Sequence, residues 1–83
     1  MRAVGGINEV NLHGMTKKQA KAFLDGRLRH LDASVYRVRV IHGYNGGTEL
    51  RDMVREEYKK HPKVRRIEHG VNPGETYLVI REL

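Results

Sequence analysis

Residues 35–51 read VYRVRVIHGYNGGTELR, and the fold turns on how that run divides. Residues 35–41 are rich in β-branched and aromatic side chains that alternate with arginine. The alternation predicts a strand with Tyr36, Val38 and Val40 on one face and Arg37 and Arg39 on the other. His42-Gly43 ends it, and two adjacent glycines, Gly46 and Gly47, mark a turn. Thr48 then opens a helix predicted over residues 48–60. Leu50, Met53, Val54 and Tyr58 fall on its inward stripe, and Glu49 lies at its positive end. Lys59, Lys60 and His61 suit the negative end, and Pro62 forbids much extension.

A second strand and helix precede this unit. Residues 7–12 read as a short strand, with Val10 and Leu12 separated by one polar residue. Thr16-Lys17-Lys18-Gln19 matches a capping box, Met15 can staple onto Ala20, and Ala20, Phe23, Leu24, Leu28 and Leu31 form one apolar stripe. After the second helix, residues 64–68 and 76–81 read as strands joined by HGVNPGE, in which Asn72-Pro73-Gly74 is a turn signal. The order is β-α-β-α-β-β. Crossover helices make the strands they join parallel, so the expected fold is α/β: a single-domain two-layer sandwich with a four-stranded mixed sheet and two helices on one face. Residues 1–6 are expected to be a loose end, and residues 7–83 the domain.

The chain has 83 residues, 39% of them hydrophobic and 31% charged. That suits one small domain without room for a deep enclosed cavity, so chemistry is expected at an edge or shallow groove. No apolar run is long enough to span a bilayer, and MRAVGGINEV lacks the apolar centre of a signal peptide; a cytoplasmic protein without a membrane partner is expected. The absence of cysteine rules out disulfides and thiolate metal sites. Sixteen Lys and Arg against ten Asp and Glu give a formal charge of +6 and a pI near 10.0. A domain this basic attracts phosphate polyanions, so nucleic acid rather than a small-molecule substrate is the expected partner.

Two features concentrate that expectation. If Val10 and Leu12 face the helices, Asn11 and His13 face away, as do Arg37 and Arg39; the open face is then polar and basic, either as a binding surface or as an ordinary solvated one. The run from Gly43 through Tyr44, Asn45, Gly46 and Gly47 to Thr48 joins a strand to a helix N-terminus, where backbone N–H groups lack intrahelical partners and can meet an anion. It contains neither Gly-Lys-Ser/Thr nor G-x-G-x-x-G, so diffuse phosphodiester contact fits better than a nucleotide cradle. Three of the five histidines precede glycine, at VNLHG, RVIHG and RIEHG. His13 and His42 end parallel strands and are expected at one rim, where an imidazole can bond to phosphate or move a proton.

VNLHGMT, then a helix, then VIHGYNGGTELR, then GETYLVI together resemble the small MutS-related (Smr) domain family. That family is marked by a Leu-Asp-x-His element, a His-Gly-x-Gly element opening the second helix, and a late Gly-x-Thr strand. The resemblance covers residues 7–83. It implies a sandwich similar to the C-terminal domain of translation initiation factor three, and nicking or cleavage of DNA or RNA, with a link to DNA repair or recombination through MutS-like proteins. His13 matches the first motif, His42 and Gly43 the second, Gly74 and Thr76 the last. Two positions depart: Asn11 replaces the first-motif acid, and Asn45 replaces the second glycine in a loop one residue longer. Asn is neither a base at neutral pH nor a strong Mg²⁺ ligand.

If the chain cleaves, His13 is the candidate acid or base, and His42, the loop amides and Arg51 would hold the phosphate. Glu9, on the same strand face as Asn11, is the nearest replacement carboxylate; Glu49 and Asp52 are alternatives that also suit a helix N-terminus. Tyr44 could stack on a base or anchor its loop, and Arg65 and Arg66 extend the basic track or coat a strand edge. No His/Asp cluster has metal spacing, so no structural metal is expected, with a divalent cation such as Mg²⁺ entering only for catalysis.

Overall fold

The computed structural model describes residues 6–43 and 48–82. Its elements are β1 (Ile7–Asn11), α1 (Lys17–Arg29), β2 (Arg37–Ile41), α2 (Glu49–Tyr58), β3 (Arg66–His69) and β4 (Glu75–Val79). The sheet order is β1-β2-β4-β3. β1 and β2 are parallel, and β4 lies antiparallel to both β2 and β3. The expected mixed sheet is therefore present, and the last strand occupies an inner position.

Local chemistry sets the elements. Thr16 caps α1: its hydroxyl accepts the Gln19 amide while the Gln19 side chain accepts the Thr16 amide, the reciprocal capping box read from the sequence. The period-two phase of the strands places Val10, Val38, Val40, Thr76 and Leu78 on one face, where they are buried with Ala20, Leu24 and Leu28 of α1 and Met53, Val54 and Tyr58 of α2. Both helices thus cover that face. Tyr58 joins the two helices, its hydroxyl donating to the Asp25 carboxylate of α1.

Several details differ from the sequence expectation. Phe23, placed on the inward stripe of α1, is 37% exposed with the Arg27 guanidinium 4.9 Å from its ring centre. The third strand begins at Arg66 instead of residue 64, because the Val64 amide turns back to the His61 carbonyl at 2.9 Å. Before β2 it is Val35 that is buried, whereas the Tyr36 ring packs on Gly6. Gly6, counted with the loose end, is tied to the sheet: its carbonyl accepts the Tyr36 amide at 2.8 Å. Its φ of +83° and the Tyr36 ring, 2.4 Å from where a Cβ would stand, both require glycine.

One rim collects the functional candidates. β1 and β2 end there, β4 begins there, and the register Asn11↔Ile41↔Glu75 fixes the level. α2 starts from the same rim.

Candidate functional site

His42 follows β2 and is only 4% exposed. Its Nδ1 lies 2.8 Å from the Gly43 carbonyl oxygen, which can only accept, so Nδ1 carries the proton. Nε2, 2.8 Å from Thr76 Oγ1, then accepts the Thr76 hydroxyl proton. Thr76 Oγ1 in turn accepts Nε–H of Arg55 at 3.2 Å. The chain Arg55 → Thr76 → His42 → Gly43 needs a neutral imidazole. Burial, which depresses the His42 pKa, agrees with this; the Gly43 bond opposes it, Arg55 and Arg51 reinforce it, and Glu75 opposes it. The expectation that His42 meets an anion is corrected: both ring nitrogens are engaged inside the protein.

Gly43 is corrected as well. Its amide, with that of His42, donates to the Gly74 carbonyl at 3.0 and 2.9 Å, so it is no anion donor. Gly43 has a φ of +75°, and a Cβ there would stand 2.6 Å from Cδ2 of His13. Glycine is needed because the His13 ring lies on it. The two histidine segments therefore meet as the sequence predicts, and the second and third motif elements hold each other through Gly74 and Thr76.

The exposed His13 has its backbone amide bonded to Asn11 Oδ1 at 2.9 Å. No hydrogen bond holds its ring among the described residues. Asn11 performs a turn function that aspartate would also perform, but it presents a carboxamide where a carboxylate would supply charge. Glu9 is paired with Arg39 at 3.1 Å. Among the described residues no group of three or more His, Asp or Glu could hold a metal ion. Among those residues the donor set offers a divalent cation no cage.

At the start of α2, Thr48 makes no side-chain cap. Its hydroxyl donates instead to Asp52 Oδ2 at 3.0 Å, and Arg51 reaches Asp52 Oδ1 through Nε and Nη2 at 3.2 and 3.1 Å. The Thr48 hydroxyl and then Arg51 hold the Asp52 carboxyl below its usual range. The Thr48 side chain therefore caps none of the first-turn amides. Tyr44, Asn45, Gly46 and Gly47 lie outside the described residues. Arg55, one turn after Arg51, was not singled out in sequence; its spacing of four from Arg51 on the same helix face was the available signal.

The open sheet face is not the basic surface expected. Arg39 pairs with Glu9 and Glu75, Arg37 with Glu68 at 3.0 Å, and Arg66 with Glu68 and Glu82. Arg37 also lies 5.7 Å from the Tyr77 ring centre. Cross-strand register juxtaposes Glu9, Arg39, Tyr77 and Glu68 in one row, so each of these arginines meets a carboxylate.

A mixed sheet of order β1-β2-β4-β3 under two helices, with histidine–glycine turns along one rim, defines a small two-layer α/β sandwich. Residues 10–77 match the Smr domain family, and the chain belongs to that family. It is one with nucleic-acid-binding and nicking endonuclease roles. The crystal structure of the Smr domain of Thermus thermophilus MutS2 is similar at a TM-score of 0.80 and 26% identity, over 90% of this chain and 99% of that one. No curated protein matches the chain. No helix of the described residues is long and apolar enough to cross a membrane.

Proposed function

We propose that this Smr domain binds DNA or RNA along the rim and nicks a phosphodiester there, with His13 as the acid–base group. The observation that carries the reading is the exposed His13 imidazole, seated on Gly43 and unheld by any hydrogen bond among the described residues. His13 takes the proton of the attacking hydroxyl or water as the new P–O bond forms. Arg51 faces the negative charge that builds on the non-bridging oxygens, and the leaving oxygen takes a proton from solvent. A part in DNA repair or recombination and a cytoplasmic location belong to the same reading.

The purified protein is expected to nick supercoiled plasmid or cut structured RNA, and His13→Ala to abolish it. Undiminished cleavage by that variant removes the mechanism.

A second reading, binding without cleavage, is favoured by Asn11, whose carboxamide supplies no charge to the rim. It expects salt-dependent binding and no nicking by the native chain. Gain of nicking in Asn11→Asp would identify a site whose acid has been lost.

A further inference from the structure

The structure contains one described rim arginine whose setting is otherwise unexplained. Arg37, Arg39, Arg51 and Arg66 each touch a carboxylate. Arg55 does not: its Nε donates to the neutral Thr76 hydroxyl, and no carboxylate lies within ion-pair distance of it among the described residues. Asp52, which acts on it electrostatically, is already engaged by Thr48 and Arg51. Arg55 is also partly withdrawn from water, and burial followed by the neighbouring Arg51 charge lowers its pKa. A partly exposed cation whose bonded partner is a neutral hydroxyl keeps donors open to an external anion.

We infer that Arg55 is the principal phosphate-binding residue of the rim, and that Thr76 and His42 are its positioning residues. The inference rests on the nucleic-acid reading above and names the group that grips the strand. With Nε bonded to Thr76, the two Nη groups remain as a fork for the non-bridging oxygens of one phosphodiester. Thr76 is fully buried, and its hydroxyl is fixed by His42 Nε2, so the guanidinium plane is set before the ligand arrives. Pre-organisation of this kind lowers the ordering cost of binding. It also gives the buried second-motif histidine a role that does not require it to touch substrate.

The test measures binding of a single-stranded thymidine oligonucleotide as salt is raised. Loss of one phosphate contact lowers the log–log salt slope by about 0.7 for a single strand. Arg55→Gln is expected to show that drop and about tenfold weaker binding at low salt, where 1.4 kcal/mol corresponds to tenfold. Arg55→Lys, which keeps the charge and loses the fork, should retain the slope and bind less tightly. Arg29→Gln removes the same charge at the C-terminal end of α1, away from the rim where that helix begins, and should leave the slope intact. Amide spectra confirm that each variant is folded. A folded Arg55→Gln with wild-type slope and affinity overturns the assignment and leaves nucleic-acid binding standing. A wild-type chain that does not bind the oligonucleotide at low salt removes both.

Discussion

The rim and the open sheet face use the same cation in opposite ways. On the sheet face, cross-strand register brings Arg37, Arg39 and Arg66 against Glu9, Glu68 and Glu75, and long side chains of both signs cover the inner strand. At the rim, Arg55 leans on a hydroxyl and Arg51 shares a single carboxylate. A formal charge of +6 therefore says little about where a polyanion sits. Where an arginine is held and what it already pairs with, as Arg55 is held by Thr76 and Arg39 by two glutamates, matters more than the number of cations.

The largest effect that sharpens this division is expected from His13→Ala. Removing a general acid–base group costs about a hundredfold or more in rate. Since His13 is exposed, oligonucleotide affinity and the urea midpoint should hardly move. A parallel collapse of affinity would show that His13 binds the strand and moves no proton.

Thr76→Val is next, as it leaves His42 Nε2 without a donor and Arg55 Nε without an acceptor in a fully buried place. Urea unfolding should register about 1–3 kcal/mol of lost stability, with weaker oligonucleotide binding. Wild-type stability in that variant would dismiss the proposed relay.

A smaller effect concerns pH. His42 has its pKa lowered from an ordinary 6.5, so below that value the unfolded chain binds more protons than the folded one. Stability carried by neutral His42 is present above 6.5 and declines as pH falls from there toward the lower folded value. The groups acting on this ring are Arg51 and Arg55 of α2, the Gly43 carbonyl and Glu75 of β4. An NMR titration should show the His42 ring protonating below 6.5; protonation at or above 6.5 would contradict the buried, neutral ring that the Arg55–Thr76–His42 chain requires.

The smallest effect is expected on the sheet face. Arg37→Gln removes a charge already matched by Glu68, so the oligonucleotide salt slope should stay at the wild-type value. If Arg37→Gln and Arg55→Gln weaken binding equally, the contrast between the two regions fails.

Much of the fold was legible because periodicity is local. The Val38/Val40 alternation, the Thr16–Gln19 box and the stripe from Leu50 to Tyr58 depend on neighbours within a turn or two. The site was legible only as a place: His13 and His42 do share a rim. What His42 does there depends on Thr76, 34 residues away, and what Arg55 does depends on a hydroxyl 21 residues away. Period-two reasoning assigns a residue to a face but not to a neighbour across strands. It therefore placed Arg37 and Arg39 on the open face and missed the glutamates opposite them. It also gave no sign that β4 would separate β3 from β2.

That inner placement bears on biosynthesis. Residues leave the ribosome in order, and until Glu75–Val79 emerge, β2 and β3 have no strand between them to pair with. Gly74, just before that segment, and Thr76 within it fasten the His42–Gly43 turn, and Thr76 orients Arg55. A nascent chain halted before them would hold His13, His42 and both α2 arginines yet lack the strand that fastens the rim, so the rim takes its shape only once the β3–β4 hairpin has been translated.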